Sequence, residues 1–120
     1  MKTIMAVDDS ATIRQLVGLV LRDAGYQVVE AVSGSDALSK LAGSDPSLFF
    51  TDINMPGMDG IELTRRLRKM PQYKFSPIVI LTTESKPEKQ QEGKAAGATG
   101  WIVKPFKPEQ LLAVVKKVMR

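Results

Sequence analysis

The segment TDINMPGMDG (residues 51–60) holds two aspartates, an asparagine, a proline and two glycines within ten residues. The residues just before it, Leu48 to Thr51, form a short apolar run that predicts a buried strand. Asp52 therefore follows a strand directly, and Pro56 with Gly57 predicts a rigid turn into the next helix. The strand ends on a carboxylate and the chain turns at once. This pattern indicates that functional residues are to be sought at the ends of the other strands.

A calcium-binding loop is one interpretation of this segment, because Asp52, Asn54 and Gly57 match the first, third and sixth positions of such a loop. Pro56 stands where an oxygen ligand belongs, and Leu63 stands where the bidentate glutamate belongs. The calcium interpretation is therefore set aside.

Outward from this segment, short apolar runs alternate with segments of helical periodicity. The predicted strands are residues 3–7, 26–30, 48–51, 77–82 and 100–104, and the predicted helices begin near Ser10, Ser33, Gly60, Ser85 and Pro108. This alternation predicts an α/β fold in which a five-stranded parallel sheet carries helices on both faces. We expect a single domain over residues 1–120.

More detailed predictions can be made for three of the helices. Ser10 is placed to cap the first helix, and Ser85 to Glu88 fits a capping box at the start of the fourth. The side chains expected to face inward from the first helix are Ile13, Leu16, Val17, Val20 and Leu21. The cations expected to form an exposed cluster on the third helix are Arg65, Arg66, Arg68 and Lys69.

The predicted helix at 86–96 is poor in apolar residues. It offers only Ala95 and Ala96 for packing, and Gly93 lies in its middle. A helix that buries little apolar area is weakly held. We expect it to be either a loosely packed surface helix or an element that shifts between two positions.

Charge is distributed unevenly around a formal net charge of +4. Residues 86–120 carry eight Lys or Arg against three Glu, whereas residues 1–85 carry nine against ten acids. The basic C-terminal part is either an ordinary solvated surface or a face that meets an acidic partner. Nucleic acid is an unfavoured partner because no recognised binding motif is present.

Several classes of protein are excluded by composition. The chain has no cysteine and no histidine, which removes thiolate and imidazole metal sites, disulfides and Ser-His nucleophiles. No apolar stretch is long enough to insert into a membrane, and the N-terminus does not resemble a signal peptide. We therefore expect a cytoplasmic protein.

Polar residues gather where the predicted strands end. Asp8 and Asp9 follow the first strand, Asp52 the third, Thr82 ends the fourth and Lys104 ends the fifth. Ligands of an open parallel sheet bind outside the carboxyl ends of its strands, so the fold brings these residues to one edge. Each alone has an ordinary structural explanation, such as helix capping by Asp9. Together they indicate a site.

Three carboxylates at one edge repel each other by about 4 kcal/mol per pair at about 4 Å and an effective dielectric of about 20. Proton sharing or a bound cation relieves this repulsion. Oxygen ligands without nitrogen or sulfur favour a hard cation, Mg²⁺ or alternatively Mn²⁺. With the ammonium of Lys104 and the hydroxyl of Thr82, the set suits chemistry on a phosphoryl group.

The chain resembles the receiver domains of two-component response regulators, and most closely the single-domain chemotaxis regulators. The motifs that carry the resemblance are VDDS at 7–10, TDINMPGMDG at 51–60, LTTE at 81–84 and KPF at 104–106. The resemblance covers the whole chain. It implies a flavodoxin-like (βα)5 fold with strand order 2-1-3-4-5.

The resemblance also implies roles for individual residues. Asp52 would be the phosphoacceptor, Thr82 the switch hydroxyl and Lys104 the contact to a phosphoryl oxygen, with a cis peptide between Lys104 and Pro105. Asp8, Asp9 and Asp52, with the backbone carbonyl of Asn54, would hold Mg²⁺. Asn54 and Glu84 would tune hydrolysis of the acyl phosphate.

The implied partner is a histidine kinase of the chemotaxis type, because this chain has no histidine of its own to donate the phosphoryl group. Such a protein is a phosphoacceptor that also loses its phosphoryl group to water, rather than an enzyme in the usual sense. Its output would be a target bound at residues 86–119, with the flagellar switch as one candidate. Trp101 replaces the usual Tyr or Phe switch residue, so the target is an analogy only. On activation we expect the indole to settle inward.

Other classes are less favoured. A haloacid-dehalogenase-type phosphatase also uses an Asp nucleophile, but it carries DxD where this chain has DDS. An FMN-binding flavodoxin would need a phosphate loop where Asp8 and Asp9 would repel the phosphate. A receiver separated from a DNA-binding partner, or one in a non-chemotaxis phosphorelay, also remains an alternative.

Overall fold

Strands and helices alternate along residues 2–119, the part of the chain that the computed structural model describes. The strands are β1 (Thr3–Val7), β2 (Gln27–Ala31), β3 (Leu48–Thr51), β4 (Ile78–Thr82) and β5 (Gly100–Val103). The helices are α1 (Ala11–Asp23), α2 (Gly34–Ser44), α3 (Gly60–Arg68), α4 (Pro87–Ala96) and α5 (Pro108–Val118), with a 3-10 turn at Pro71–Tyr73. All the predicted elements are present, with ends displaced by one or two residues.

The five strands form one parallel sheet in the order β2-β1-β3-β4-β5. This confirms the flavodoxin-like (βα)5 fold. Every residue of β3 and β4 is buried, as expected for strands covered on both faces. β1, β3 and β4 occupy the middle of the sheet, so the residues that follow β1 and β3 lie near its centre.

Helices cover both faces of the sheet. On one face, α1 and α5 contribute Val17, Leu21, Leu111 and Val115 to a core that also contains Ile4 and Phe50 of the sheet. On the other, α2 and α3 contribute Ala37, Leu41, Leu63 and Leu67 to a core around Met5 and Phe49. A third cluster joins α3, β4 and the segment before β5, with Ile53, Ile61 and Ile80 at its centre. The sheet is therefore covered by packed side chains on both faces.

Several local expectations were wrong. Leu16 of α1 is 41% exposed, because the buried side of the helix runs through Val17, Gly18 and Leu21 instead. The N-cap of α4 is Lys86, which makes no side-chain capping bond, so the predicted Ser85 capping box is absent. Arg68 is not part of an exposed cluster but is half-buried.

None of the helices within residues 2–119 has both the length and the apolar character needed to cross a lipid bilayer.

Candidate functional site

The carboxyl ends of β1 and β3 bring together three acidic side chains. The Asp8 amide donates to the Ala31 carbonyl and the Asp52 amide to the Val7 carbonyl, which continues the strand ladders by one residue. Oxygens of Asp8, Asp9 and Asp52 lie within 4.8 Å of one another. Asp8 and Asp52 are buried at 4% and 8% exposure, whereas Asp9 is exposed. The sequence prediction of an acidic cluster at this edge is thus reproduced in space.

Lys104 enters the cluster from the end of β5. Its amide donates to the Thr82 carbonyl, and its ammonium lies 2.8 Å from Asp8 Oδ2 and 3.4 Å from Asp52 Oδ2. The Lys104–Pro105 peptide is cis, as the resemblance implied. The side chains of Lys104, Asp8 and Asp52 are all 11% exposed or less. One buried ammonium therefore bridges two of the three carboxylates, and Asp9 is left without this contact.

Asp52 is fixed by the segment that follows it. Its Oδ1 accepts a hydrogen bond from the Ile53 amide at 2.7 Å, so Oδ2 is the oxygen turned towards Lys104. Gly60, the first residue of α3, packs against the Asp52 backbone so closely that a Cβ would collide with the Asp52 carbonyl oxygen. A glycine is therefore required at the start of α3. Asn54 lies in the same turn and is exposed.

Thr82 and Trp101 are both joined to Glu84. The Thr82 hydroxyl is fully buried and accepts from the Glu84 amide at 3.3 Å. The indole Nε1 of Trp101 donates to the Glu84 carbonyl at 3.1 Å. The indole also packs against the cluster of Ile53, Ile61 and Ile80, and a Cβ at Gly93 would lie 2.8 Å from its ring. The indole is thus half-buried in this structure.

Sequence reasoning missed two arginines that organise the surroundings of the site. Arg14 donates from Nη1 to the Asp8 carbonyl at 2.8 Å. Arg68 donates to the carbonyls of Gly97, Tyr73 and Ser76, and thereby fastens the end of α4 to the segment before β4. Burial lowers the pKa of Arg68 from its ordinary value. One signal was available for Arg14: it lies three and seven residues before Val17 and Leu21, in register with the buried side of α1.

The fold and the site together define a class of protein. A doubly wound parallel sheet with polar side chains at its carboxyl edge is an α/β protein whose ligand site lies at that edge. The donor set there consists of carboxylate oxygens, which fits Mg²⁺ or Mn²⁺ and disfavours softer metals.

Residues 4–116 match the family model for the response regulator receiver domain. The chain is 40% identical over 116 residues to chemotaxis protein CheY-3 of Vibrio cholerae, covering 96% of this chain and 89% of that one. It is 38% identical over 119 residues to the phosphate regulon transcriptional regulatory protein PhoB of Pseudomonas aeruginosa, covering 99% of this chain and 52% of PhoB. The chain therefore belongs to the receiver domain family of two-component signalling.

Solved structures agree with this assignment. Chemotaxis protein CheY4 of Vibrio cholerae superposes with a TM-score of 0.95 at 51% sequence identity, and 99% of each chain is covered. Among the curated relatives, the chain spans about half the length of PhoB and most of the length of CheY-3. Family and fold are thus established, while the activity and partners of this chain are matters for proposal.

Proposed function

We propose that the protein is a phosphorylation-dependent signalling switch in which Asp52 accepts a phosphoryl group. The observation that carries the proposal is the contact geometry of Lys104, whose ammonium lies 3.4 Å from Asp52 Oδ2 and 2.8 Å from Asp8 Oδ2. A fixed cation beside a buried carboxylate at a strand end is suited to stabilising the charge that develops on a transferring phosphoryl group.

Asp8, Asp9 and Asp52, together with the backbone carbonyl of Asn54, would hold Mg²⁺ in this proposal, with Mn²⁺ as the alternative. Bound Mg²⁺ would neutralise charge on the carboxylates and on the phosphoryl oxygens. Lys104 would contact one phosphoryl oxygen, and Thr82 would turn its hydroxyl from the Glu84 amide towards another. The last step requires Thr82 to exchange one hydrogen bond for another.

The donor would be a phosphohistidine of a histidine kinase, because this chain contains no histidine. A carboxylate oxygen of Asp52 forms a bond to phosphorus while the phosphorus–nitrogen bond breaks, and the electron pair returns to the imidazole. Water later attacks the same phosphorus, releasing inorganic phosphate and restoring the Asp52 carboxylate. Asn54, which is exposed, and Glu84, which is half-buried, are the residues proposed to tune this hydrolysis.

Asp52 phosphorylation is directly testable. Incubation with acetyl phosphate and Mg²⁺ should add one phosphoryl group to the intact protein, detected by mass spectrometry. Asp52→Asn should abolish the added mass because the nucleophile is gone, whereas Asp23→Asn, an exposed carboxylate at the end of α1, should leave it unchanged. Undiminished modification of Asp52→Asn would show that another residue is the acceptor.

The proposed output is a change in α4, β5 and α5 that alters binding of a protein target. Trp101 of β5 and the adjacent α4 share a contact through Gly93, so movement of the indole would be felt by the helix. A chemotaxis role, with a chemotaxis-type kinase and a flagellar switch component as candidate partners, is supported by similarity to CheY-3 and CheY4 of Vibrio cholerae. A cytoplasmic location belongs to the same proposal.

A receiver of another two-component pathway is the second candidate. The observation in its favour is the similarity to PhoB, which is nearly as high as that to CheY-3. Phosphotransfer from a purified chemotaxis kinase, compared with transfer from a kinase of another pathway at equal concentration, separates the two. Preferred transfer from the second kinase would remove the chemotaxis assignment and leave Asp52 as the acceptor.

A further inference from the structure

We infer that Arg14 is a positioning residue of the acidic site: it fixes the peptide that joins Asp8 to Asp9 and thereby aims the Asp9 carboxylate at the cation. The inference rests on the proposed Mg²⁺ site and assigns it a residue that lies outside the set of ligands. Arg14 belongs to α1, whereas the proposed ligands follow β1 and β3.

Arg14 is held in one position by two contacts. Its Nη1 donates to the Asp8 carbonyl at 2.8 Å, and its Nε donates to Glu30 Oε1 at 3.2 Å. The side chain is 13% exposed, which is low for an arginine. A planar guanidinium can serve two acceptors at fixed directions, so the Asp8 carbonyl is tied through Arg14 to β2.

The second acceptor, Glu30, is itself clamped. Its Oε2 lies 3.2 Å from Arg22 Nη2, so one carboxylate joins Arg14 and Arg22, which are two helical turns apart on α1. Gly18 lies midway between them, where a Cβ would come within 2.8 Å of Arg22 Nη1 and 3.3 Å of Glu30 Oε2. A glycine in the middle of a helix is intrinsically unfavourable. Here it leaves the space in which Glu30 meets both arginines.

The peptide held by Arg14 matters because Asp9 has little else to orient it. Asp8 is secured through Oδ1 by the Ser10 amide and through Oδ2 by Lys104. Asp9 is exposed, and within residues 2–119 its carboxylate accepts no hydrogen bond. Since the peptide group is planar, fixing the Asp8 carbonyl also fixes the amide and the Cα of Asp9, the point from which its side chain reaches the cluster.

The direction in which Mg²⁺ affinity changes when Arg14 is removed distinguishes a positioning role from a purely electrostatic one. Removing a cation near three carboxylates should, by electrostatics alone, strengthen Mg²⁺ binding. If Arg14 instead aims a ligand, removing it should weaken binding. Residues that orient metal ligands typically contribute about 10- to 100-fold to affinity.

Calorimetric titration of the purified protein with MgCl₂ tests the inference, with folding of each variant checked by circular dichroism. Arg14→Ala should weaken Mg²⁺ binding about tenfold. Arg14→Lys should also weaken it severalfold, because a single ammonium keeps the charge but cannot serve both acceptors as the guanidinium does. Arg22→Ala is the matched control: it also removes a cation paired with Glu30, but Arg22 has no contact with Asp8, so affinity should stay within about twofold.

Mg²⁺ binding by Arg14→Ala that equals or exceeds that of the unaltered protein would overturn the inference. An equal loss of affinity in Arg22→Ala would also overturn it, because it would point to a general effect of the ion pairs with Glu30. If Arg14→Ala does not fold, unchanged affinity in Arg14→Lys overturns it instead. Failure of the unaltered protein to bind Mg²⁺ would remove the proposed metal site itself. That outcome is seen before any variant is compared.

Discussion

The three carboxylates of the site are not equivalent. Asp8 and Asp52 share the ammonium of Lys104, and Asp52 also accepts from the Ile53 amide. Asp9 has neither contact and lies on the exposed side of the cluster. In the absence of a cation, Asp9 therefore adds repulsion with little compensating attraction, although exposure to water screens part of it.

Asp9→Asn should separate metal affinity from metal-free stability. Without metal, the variant should be more stable by about 0.5–1 kcal/mol, because like-charge repulsion is removed at a partly screened position. With millimolar Mg²⁺ it should gain less in thermal midpoint than the unaltered protein, because a ligand is lost. Urea unfolding in EDTA and thermal melts with MgCl₂ measure the two effects.

Asp23→Asn provides the matched control for Asp9→Asn, since Asp23 is an exposed carboxylate on α1 away from the cluster. It should change neither quantity. If Asp9→Asn loses stability in EDTA, Asp9 has a structural partner that the proposal does not include. If the unaltered protein shows no thermal response to Mg²⁺, the cluster does not bind the ion.

At the scale of elements, α4 is the least secured helix. Gly93 is its only fully buried residue, and Ala95, expected to pack inward, is exposed. Its C-terminal end is fastened by Arg68 through the Gly97 carbonyl, whereas its first turn has no side-chain cap. The helix is therefore anchored at its C-terminal end; it also packs against α3, and Gly93 lies against the Trp101 ring.

Gly93→Ala should displace the indole. Replacing glycine by alanine in a helix normally stabilises it by about 1 kcal/mol. At Gly93 the new Cβ would lie 2.8 Å from the Trp101 ring, so we expect a net loss of about 1 kcal/mol instead. The Trp101 emission should shift to longer wavelength, because an indole displaced from its place beside Gly93 and Glu84 becomes more exposed to water. Urea unfolding followed by fluorescence measures both changes.

The control for Gly93→Ala is Gly43→Ala in α2, where a Cβ would meet no atom within 4 Å. This substitution should be stabilising and leave the emission of Trp101 unchanged. If Gly93→Ala is stabilising and the emission is unshifted, the added methyl group is accommodated without changing the environment of the indole. The position of α4 would then not depend on the contact between Gly93 and Trp101.

The sequence patterns predicted the strands and helices well, but they predicted few of the side-chain contacts between them. Asp8, Asp52 and Lys104 could be brought together because strand ends in a parallel sheet meet at one edge, a rule that needs no side-chain detail. Arg14 and Arg68 were missed because the contacts that matter here, to the carbonyls of Asp8 and Gly97, are made to backbone atoms, which leave no trace in a sequence. The Ser85 capping box failed because Pro87 is the first residue of α4, a position that proline favours, so that Lys86 and not Ser85 is the N-cap.

At the scale of the whole molecule, charge is concentrated in the C-terminal part. Residues 86–120 carry a formal charge of +5, with exposed lysines on both α4 and α5. Lys89 is paired with Glu92, which leaves Lys94 and Lys116 as better representatives of this surface. We expect a target of this surface to be acidic and its binding to weaken with added salt.

Charge reversal at Lys94 and Lys116 should reduce target binding by about tenfold without affecting phosphorylation of Asp52, because neither lysine contacts the acidic site. Lys2→Glu with Lys69→Glu is the control, since both are exposed and lie outside residues 86–119. Quantitative pull-downs with beryllofluoride-treated and untreated protein provide the measurement. Equal losses in the two double variants would argue against the α4–β5–α5 face.

The two backbone hydrogen bonds of Glu84 provide a route for coupling, and any coupling through them must be reciprocal. Its amide is bonded to the hydroxyl of Thr82 and its carbonyl to the indole of Trp101, so one residue's backbone connects the buried site to the surface. If a phosphoryl mimic raises the affinity of a target by some factor through this connection, the target must raise the affinity of the mimic by the same factor. A bound target would then raise the fraction of protein that carries the mimic at Asp52, without touching that site.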